Sequence, residues 1–385
     1  MNMKKIGTYT AIAIVAAALV FGIRALRINQ IEARLENVEL VNGLLPEKVR
    51  YEGENYLIPP SGVFDTGNTN EDIPSIDEPK MISIASADSV LADGVDGIVV
   101  EKDGEVQFYS LQILRWHEVV NAEIGGDAIA VTHCTLCHSS NVFERVYDGE
   151  EINLSISGLV YNNMSLLHDD STNALWLQGR GISVVGGKLG ETLPTYRHNV
   201  MTWAEYKDAH PNGLALSANT GFDYDYGINP YTNYDDSNTI YFPLTETPGS
   251  LVLKWVVDGF AIDGQAVAFA RDVMRGFGVV SFDFADQTYI GLFDFEALQT
   301  NVFLLENDEM TFTYDFETQE LRDEQTNSLW TATGLAIDGE LAGTQLESLQ
   351  THETFWFCWY SMYPDTSIAM IDLGLDDNTE PETIE

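Results

Sequence analysis

The chain has 385 residues, enough for a large core and two packed units, and carries a formal net charge of −41 from 60 acidic and 19 basic residues. A surface this acidic excludes nucleic acid as a partner, because recognition of phosphates needs a basic footprint. Three cysteines are too few for a disulfide framework, and 45% hydrophobic residues place the chain among folded proteins.

Residues 1–30 contain no Asp or Glu. The uncharged run Ile6–Ile23, preceded by Lys4 and Lys5 and followed by Arg24 and Arg27, is just long enough to span hydrocarbon. No small-x-small cleavage site follows it, so the expectation is an uncleaved N-terminal membrane anchor with the bulk of the chain extracytoplasmic, periplasmic or at the cell surface. Residues 31–80 read as a short helical stalk and an irregular lead-in rich in Pro, Gly, Asn and Asp. Short β-type runs then alternate with turns. Gly97–Glu101 and Val106–Tyr109 flank Asp103-Gly104 as a hairpin. Ala128–Thr132 reads as an apolar strand that delivers Cys134 at its end. Asn141–Tyr147 and Ile152–Ser157 flank a second turn at Asp148-Gly149. Thr202–His210, stopped by Pro211, reads as a short helix.

The pattern then returns. Thr172-Asn-Ala-Leu-Trp176 recurs as Thr326-Asn-Ser-Leu-Trp330, an offset of 154 residues, and His198 recurs as His352 at the same offset. The Trp203 helix corresponds to the aromatic run that ends at Pro364. Asn141-Val-Phe143 recurs as Asn301-Val-Phe303, an offset of 160, and Asp96-Gly97 and Asp103-Gly104 resemble Asp258-Gly259 and Asp263-Gly264. Matches in one order predict duplication. The expected fold is β-rich α+β: two divergent internal repeats of short antiparallel strands with a few short helices, at 81–245 and 250–370, preceded by an N-terminal transmembrane helix and followed by an acidic tail. At the offset of 160, Cys134, Cys137 and His138 correspond to Asp294, Ala297 and Leu298, so the second repeat lacks the ligands of the first.

Those ligands stand in His133-Cys-Thr-Leu-Cys-His138, the stretch that carries the chemistry. Thiolates and imidazoles are soft ligands, and a two-residue gap lets both sulfurs face one centre. The same residues spell Cys-x-x-Cys-His, the attachment string of haem c, and Cys-x-x-Cys, a dithiol redox pair whose thiols neighbouring histidines would acidify. Cys134 and Cys137 could also form an inert disulfide, leaving Cys358 single. In Phe355-Trp-Phe-Cys-Trp-Tyr360 that third cysteine reads as a small buried apolar residue.

The stretches Asp72–Lys80, Tyr109–Asn121, Gly125–Thr132, Cys134–Cys137, Ser157–Asn162, Leu175-Trp176, Thr202–Glu205 and Asn229–Tyr234 together resemble the prokaryotic family catalogued as domain of unknown function 3179. The likeness runs from about residue 70 to 370 and brings no established activity. It implies weight on His117 of Trp116-His-Glu118 beside the two cysteines. It implies less for His138, where the family pattern has other residues, and His133 sits where an aromatic residue is common. The resulting expectation is a transition-metal site, for zinc or copper, built from Cys134, Cys137 and His117 with His133 or His138 as a fourth ligand. A dithiol redox protein, a haem c protein and a structural thiol pair remain beside it, and enzyme and metal-carrier readings are not separated.

Weaker features complete the reading. His168-Asp169-Asp170 reads as a solvated turn, and His198 and His352 as scaffold. Asp223, Asp225, Asp235 and Asp236 lie in a tyrosine- and glycine-rich loop whose spacing fits no EF-hand. No nucleotide-binding glycine loop, nucleophile elbow or zinc-protease string occurs.

Overall fold

The computed structural model describes residues 57–369 apart from 187, 307 and 308. The expected membrane anchor and acidic tail lie outside the described residues. Among those residues no helix is long and apolar enough to cross a membrane.

The chain is β-rich, with several antiparallel sheets and few short helices. One order of elements occurs twice. In the first half, Asp96–Lys102 and Glu105–Ser110 form a hairpin, and the helix Leu111–His117 follows directly. A three-stranded meander comes next, from Val119–Ile124, Asp127–Cys134 and Ser139–Glu144. A second meander runs through Leu154–Tyr161, Met164–Asp169, Leu175–Leu177 and Ile182–Val185. The chain returns to the hairpin, adding His198–Thr202 on one edge, the helix Trp203–Ala209, and Leu214–Leu216 in parallel on the other.

The second half repeats this order. The hairpin Val256–Ile262 and Gln265–Ala270 leads into the helix Arg271–Met274. Val279–Phe284, Gln287–Asp294 and Gln299–Leu304 form the first meander. Phe312–Asp315, Glu320–Asp323, Leu329–Trp330 and Ala336–Asp338 form the second. His352–Phe355, the helix Trp356–Met362 and Ser367–Ile368 then flank the hairpin as before. Both hairpins turn on Asp-Gly with both residues at positive φ, Asp103-Gly104 and Asp263-Gly264, as a tight two-residue turn requires. The turns set the register, and that register corrects one sequence match. Gly97 pairs with Ser110, and its counterpart pair is Val257 with Ala270. Asp258 therefore stands level with Ile98, not Asp96.

Two local devices hold the repeats. Thr202 caps its helix with a capping box: its hydroxyl accepts from Glu205 N, and Glu205 accepts from Thr202 N. In each second meander a buried aspartate organises the turn before a tryptophan. Asp169 accepts from Ser171, Thr172 and Trp176 Nε1 (2.8 Å), and Asp323 accepts from Thr326, Ser328 and Trp330 Nε1 (3.0 Å). The recurrent Thr-Asn-x-Leu-Trp string is the visible half of this device. Asp169 is fully buried, which corrects its reading as part of a solvated turn.

The largest core cluster joins the halves. Cys134, Cys137 and Leu136 of the first pack with Trp356, Cys358, Trp359 and Met362 of the second.

Candidate functional site

Cys134 and Cys137 do not pair with each other. Cys137 is bonded to Cys358, 221 residues away with Cα atoms 5.7 Å apart, within ordinary disulfide range, and Cys134 is a free buried thiol. Sequence spacing concealed this. The end of the Asp127–Cys134 strand and the one-turn segment Thr135–Cys137 direct the two sulfurs differently, and Trp356–Met362 brings Cys358 to the second of them. The apolar surroundings read for Cys358 are correct; its reading as a single thiol is not.

This bond removes the attachment chemistry for haem c, which needs both Cys134 and Cys137 sulfurs, and it withdraws Cys137 from metal ligation. His117 is equally committed. Its Nδ1 lies 2.6 Å from Pro74 O, which fixes the proton there, so Nε2 accepts from Tyr226 OH at 2.7 Å and has no free lone pair for a metal. His133 Nδ1 meets Ser140 Oγ at 3.1 Å, and His138 Nε2 meets Glu353 Oε1 at 2.8 Å. Among the described residues no group of three or more His, Cys, Asp and Glu could hold a metal ion. The zinc or copper site drawn from Cys134, Cys137, His117, His133 and His138 is not assembled. The tyrosine-rich aspartates do not gather either: Asp225 accepts from Gly227 N and Asp235 pairs with Arg115 at 3.5 Å.

What Cys134 does meet is a hydroxyl and a carboxylate that sequence reading missed. Ser165 Oγ lies 3.3 Å from Cys134 Sγ and donates to Glu118 Oε2 at 2.7 Å; Tyr231 OH donates to Glu118 Oε1 at 3.2 Å. Ser165 has one proton to share between Glu118 Oε2 and Cys134 Sγ, and the thiol itself donates to Asn163 O at 3.5 Å, so thiol, hydroxyl and carboxylate form one connected group. Burial pushes Glu118 above the usual carboxylate range, against the hydrogen bonds from Ser165 and Tyr231. Burial, reinforced by the Glu118 charge, pushes the Cys134 thiol up to about 11. The resting thiol is therefore protonated, beside a base stronger than an ordinary carboxylate.

The backbone at Glu118 carries a further signal. It ends the helix Leu111–His117 in the left-handed region at φ 56°, its N–H bonding Leu114 O and its carbonyl accepting from His133 N. The equivalent position in the second repeat is Gly278 at φ 74°, bonding Met274 O and accepting from Phe293 N. A glycine adopts this conformation freely, whereas a glutamate is strained there by about 1 kcal/mol. The first repeat carries a side chain there in spite of that.

Beside the relay, a polar seam links the repeats. Arg271 contacts Asp258 at 2.7 Å and Glu353 at 2.9 Å, and Glu353 holds His138. Burial alone would lower His138, but the Glu353 carboxylate outweighs it and raises the imidazole. His352 Nε2 lies 2.7 Å from Ser139 Oγ, and burial lowers it to about 3. Thr354 Oγ1 donates to Cys137 O at 2.8 Å. Over the relay lies a strap from 217 to 255 without a regular helix or strand. Its Tyr226, Tyr231 and Tyr234 bond His117, Glu118 and Leu136 O respectively.

The family model described as "Protein of unknown function (DUF3179)" matches residues 70–366. No curated protein and no solved structure was found to match.

Proposed function

Since the chain belongs to the DUF3179 family, whose description assigns no chemistry, we propose from the site itself that it is a thiol–disulfide protein, in which Cys134 opens the Cys137–Cys358 bond. The observation that carries this reading is the convergence of all three cysteines in one core cluster, one as a thiol wired through Ser165 to Glu118 and two as a disulfide.

The step is an internal exchange. Glu118 takes the Cys134 proton through Ser165, and the thiolate attacks Cys137 Sγ. The Cys134–Cys137 bond forms as the Cys137–Cys358 bond breaks, and Cys358 leaves as a thiolate that takes the proton back. No outside oxidant or reductant is consumed. Burial of the thiol sets a slow resting rate, because thiolate is scarce until Glu118 accepts the proton. The exchange would turn a bond between the repeats into one within the first repeat and release the second. A disulfide at the centre of the core supports an oxidising compartment, in keeping with export behind the Ile6–Ile23 segment.

The test is disulfide mapping by peptide mass spectrometry on the full chain held at pH 9. A growing fraction with the Cys134–Cys137 bond and free Cys358 is expected, and Glu118→Gln is expected to slow its appearance about a hundredfold, the scale of a lost general base. A bond that stays at Cys137–Cys358 throughout, in folded protein, would leave a structural cross-link and overturn the reading.

A further inference from the structure

The strap covers one end of the first repeat, and the same end of the second stands open. Phe222 packs on the His117 ring with centroids 5.2 Å apart, Tyr226 bonds that ring, and Tyr234 donates to Leu136 O. Beneath them His117 is 0% exposed and Thr135 1%. The paired strands keep one register in both repeats, Val119 with Thr132 and Val279 with Leu292. Phe277 therefore stands at the place of His117, Phe295 at that of Thr135 and Leu298 at that of His138. Among the described residues no strap reaches them: Phe277 is 44% exposed, Phe295 36% and Leu298 46%. Two turns of one sequence, Asp294-Phe-Glu296 and Asp315-Phe-Glu317, complete this face. Asp294 accepts from Glu296 N and Ala297 N, and Asp315 from Glu317 N and Thr318 N, so each turn is fixed with its phenylalanine outermost. Phe295 stacks on Tyr314 at 4.8 Å, and Phe316 lies edge-on to both, at 6.0 and 4.9 Å. Contiguous exposed rings with a polar rim mark an interaction surface.

We propose that this face binds an extended cationic segment of another protein, whose aromatic or aliphatic side chains lie on Phe277, Phe295, Leu298 and Phe316 and whose Lys or Arg side chains meet Glu296 and Glu317. The first repeat supplies the shape of the occupant, because the strap that covers its equivalent end is extended and anchored by aromatic side chains. The rim supplies its charge. Glu296 and Glu317 are exposed beside the rings, with Asp294 and Asp315 in the same turns. Arg275, just before Phe277, is the opposing charge at one edge, and Arg271 is spent on Asp258 and Glu353. The face is therefore acidic on balance. Ammonium and guanidinium groups are attracted both to those carboxylates and to the faces of the rings. An acidic occupant would meet like charge, whether this chain's own residues 370–385 or a second copy presenting the same face. The surface is independent of the thiol chemistry.

A short fluorescein-labelled peptide of alternating lysine and tyrosine tests this on the full chain, by fluorescence anisotropy at about 0.15 M salt. The native chain is expected to bind it, and more weakly as salt rises. Phe295→Ser combined with Phe316→Ser leaves every charge in place and is expected to weaken binding at least about tenfold, the scale of lost hot-spot side chains. Glu296→Gln combined with Glu317→Gln keeps the rings and is expected to weaken it severalfold. Denaturant midpoints show whether each variant keeps the native fold. Equal binding by the native chain and the serine variant overturns the proposal, because the peptide is then held by net charge alone. Equal binding by the glutamine variant overturns it as well, since the local carboxylates then play no part. Two further results give the face to another occupant and likewise overturn it. One is displacement of the labelled peptide by a synthetic peptide of residues 370–385. The other is a native dimer in sedimentation equilibrium that the serine variant dissolves.

Discussion

Glu118 shows how one residue separates folding from chemistry. Its backbone conformation favours glycine, and Gly278 occupies the same place in the second repeat. Glu118→Gly therefore relieves about 1 kcal/mol of backbone strain while leaving Ser165 and Tyr231 without their acceptor, a loss of similar size. Denaturant unfolding is expected to show a net change within about 1 kcal/mol, while the exchange of the Cys137–Cys358 bond is lost. A large destabilisation would mean that the carboxylate serves the fold. Cys134 offers a second reading at this scale. With its thiol pushed up to about 11, alkylation of the native chain by iodoacetamide should climb with pH throughout the range from 7 to 10. A rate that levels off by about pH 9.5 would mean an ordinary exposed thiol.

The elements carry their own test, because the aspartate-centred turns occur once in each repeat. Asp169 and Asp323 are both held below the usual carboxylate range: burial pushes each upward, and the hydrogen bonds from Thr172 and Trp176, or from Trp330 and Thr326, outweigh it. A group depressed in this way contributes stability above its unfolded pKa and loses it as pH falls through the folded value. Asp169→Asn and Asp323→Asn should each cost about 1–3 kcal/mol at neutral pH, the scale of charge-assisted bonds to buried groups. The two belong to different sheets and share no partner, so the double variant should show the sum. Strong non-additivity would mean that the turns communicate. The turns also explain what was legible in the sequence. Thr-Asn-x-Leu-Trp repeats because its hydrogen bonds are local, as do the Asp-Gly hairpins and the Thr202–Glu205 cap. The relay was not legible, because Glu118, Cys134, Ser165 and Tyr231 are joined only by the folding of separate strands and the strap. The Cys-x-x-Cys spacing misled for the same reason: proximity in sequence suggested one centre, whereas the core supplied Cys137 with a partner 221 residues away.

At the scale of the molecule, two kinds of link hold the halves together, and they respond to different conditions. The disulfide closes a very long loop, so reducing it in the otherwise intact chain should cost on the order of 3–5 kcal/mol in denaturant unfolding, with Cys358→Ser giving a comparable loss. The imidazoles respond to pH instead. Burial holds His117, His133, His198 and His352 below the usual histidine value, His352 at about 3. Below about pH 6.5 the unfolded chain binds protons at these positions that the folded chain refuses. Their contribution is complete above pH 6.5 and is lost as pH falls toward the folded values. His138 runs the other way: raised by Glu353, it contributes fully below the unfolded value and loses its contribution as pH rises through the folded one. Among the imidazoles four depressed groups outnumber one raised group, a balance that buried Glu118, held above the usual carboxylate range, offsets in part. Stability should therefore fall between about pH 6.5 and 5, before most ordinary carboxylates titrate, with each histidine adding up to about 1.4 kcal/mol per pH unit. Denaturant midpoints measured across this range would show the slope, and His352→Gln, which keeps an amide able to hydrogen-bond Ser139 without a titrating ring, should flatten it. A stability that is level from about pH 6.5 to 5 and collapses only below about 5 would place the acid response in the carboxylates alone. The seam of imidazoles would then have no part in holding the repeats together.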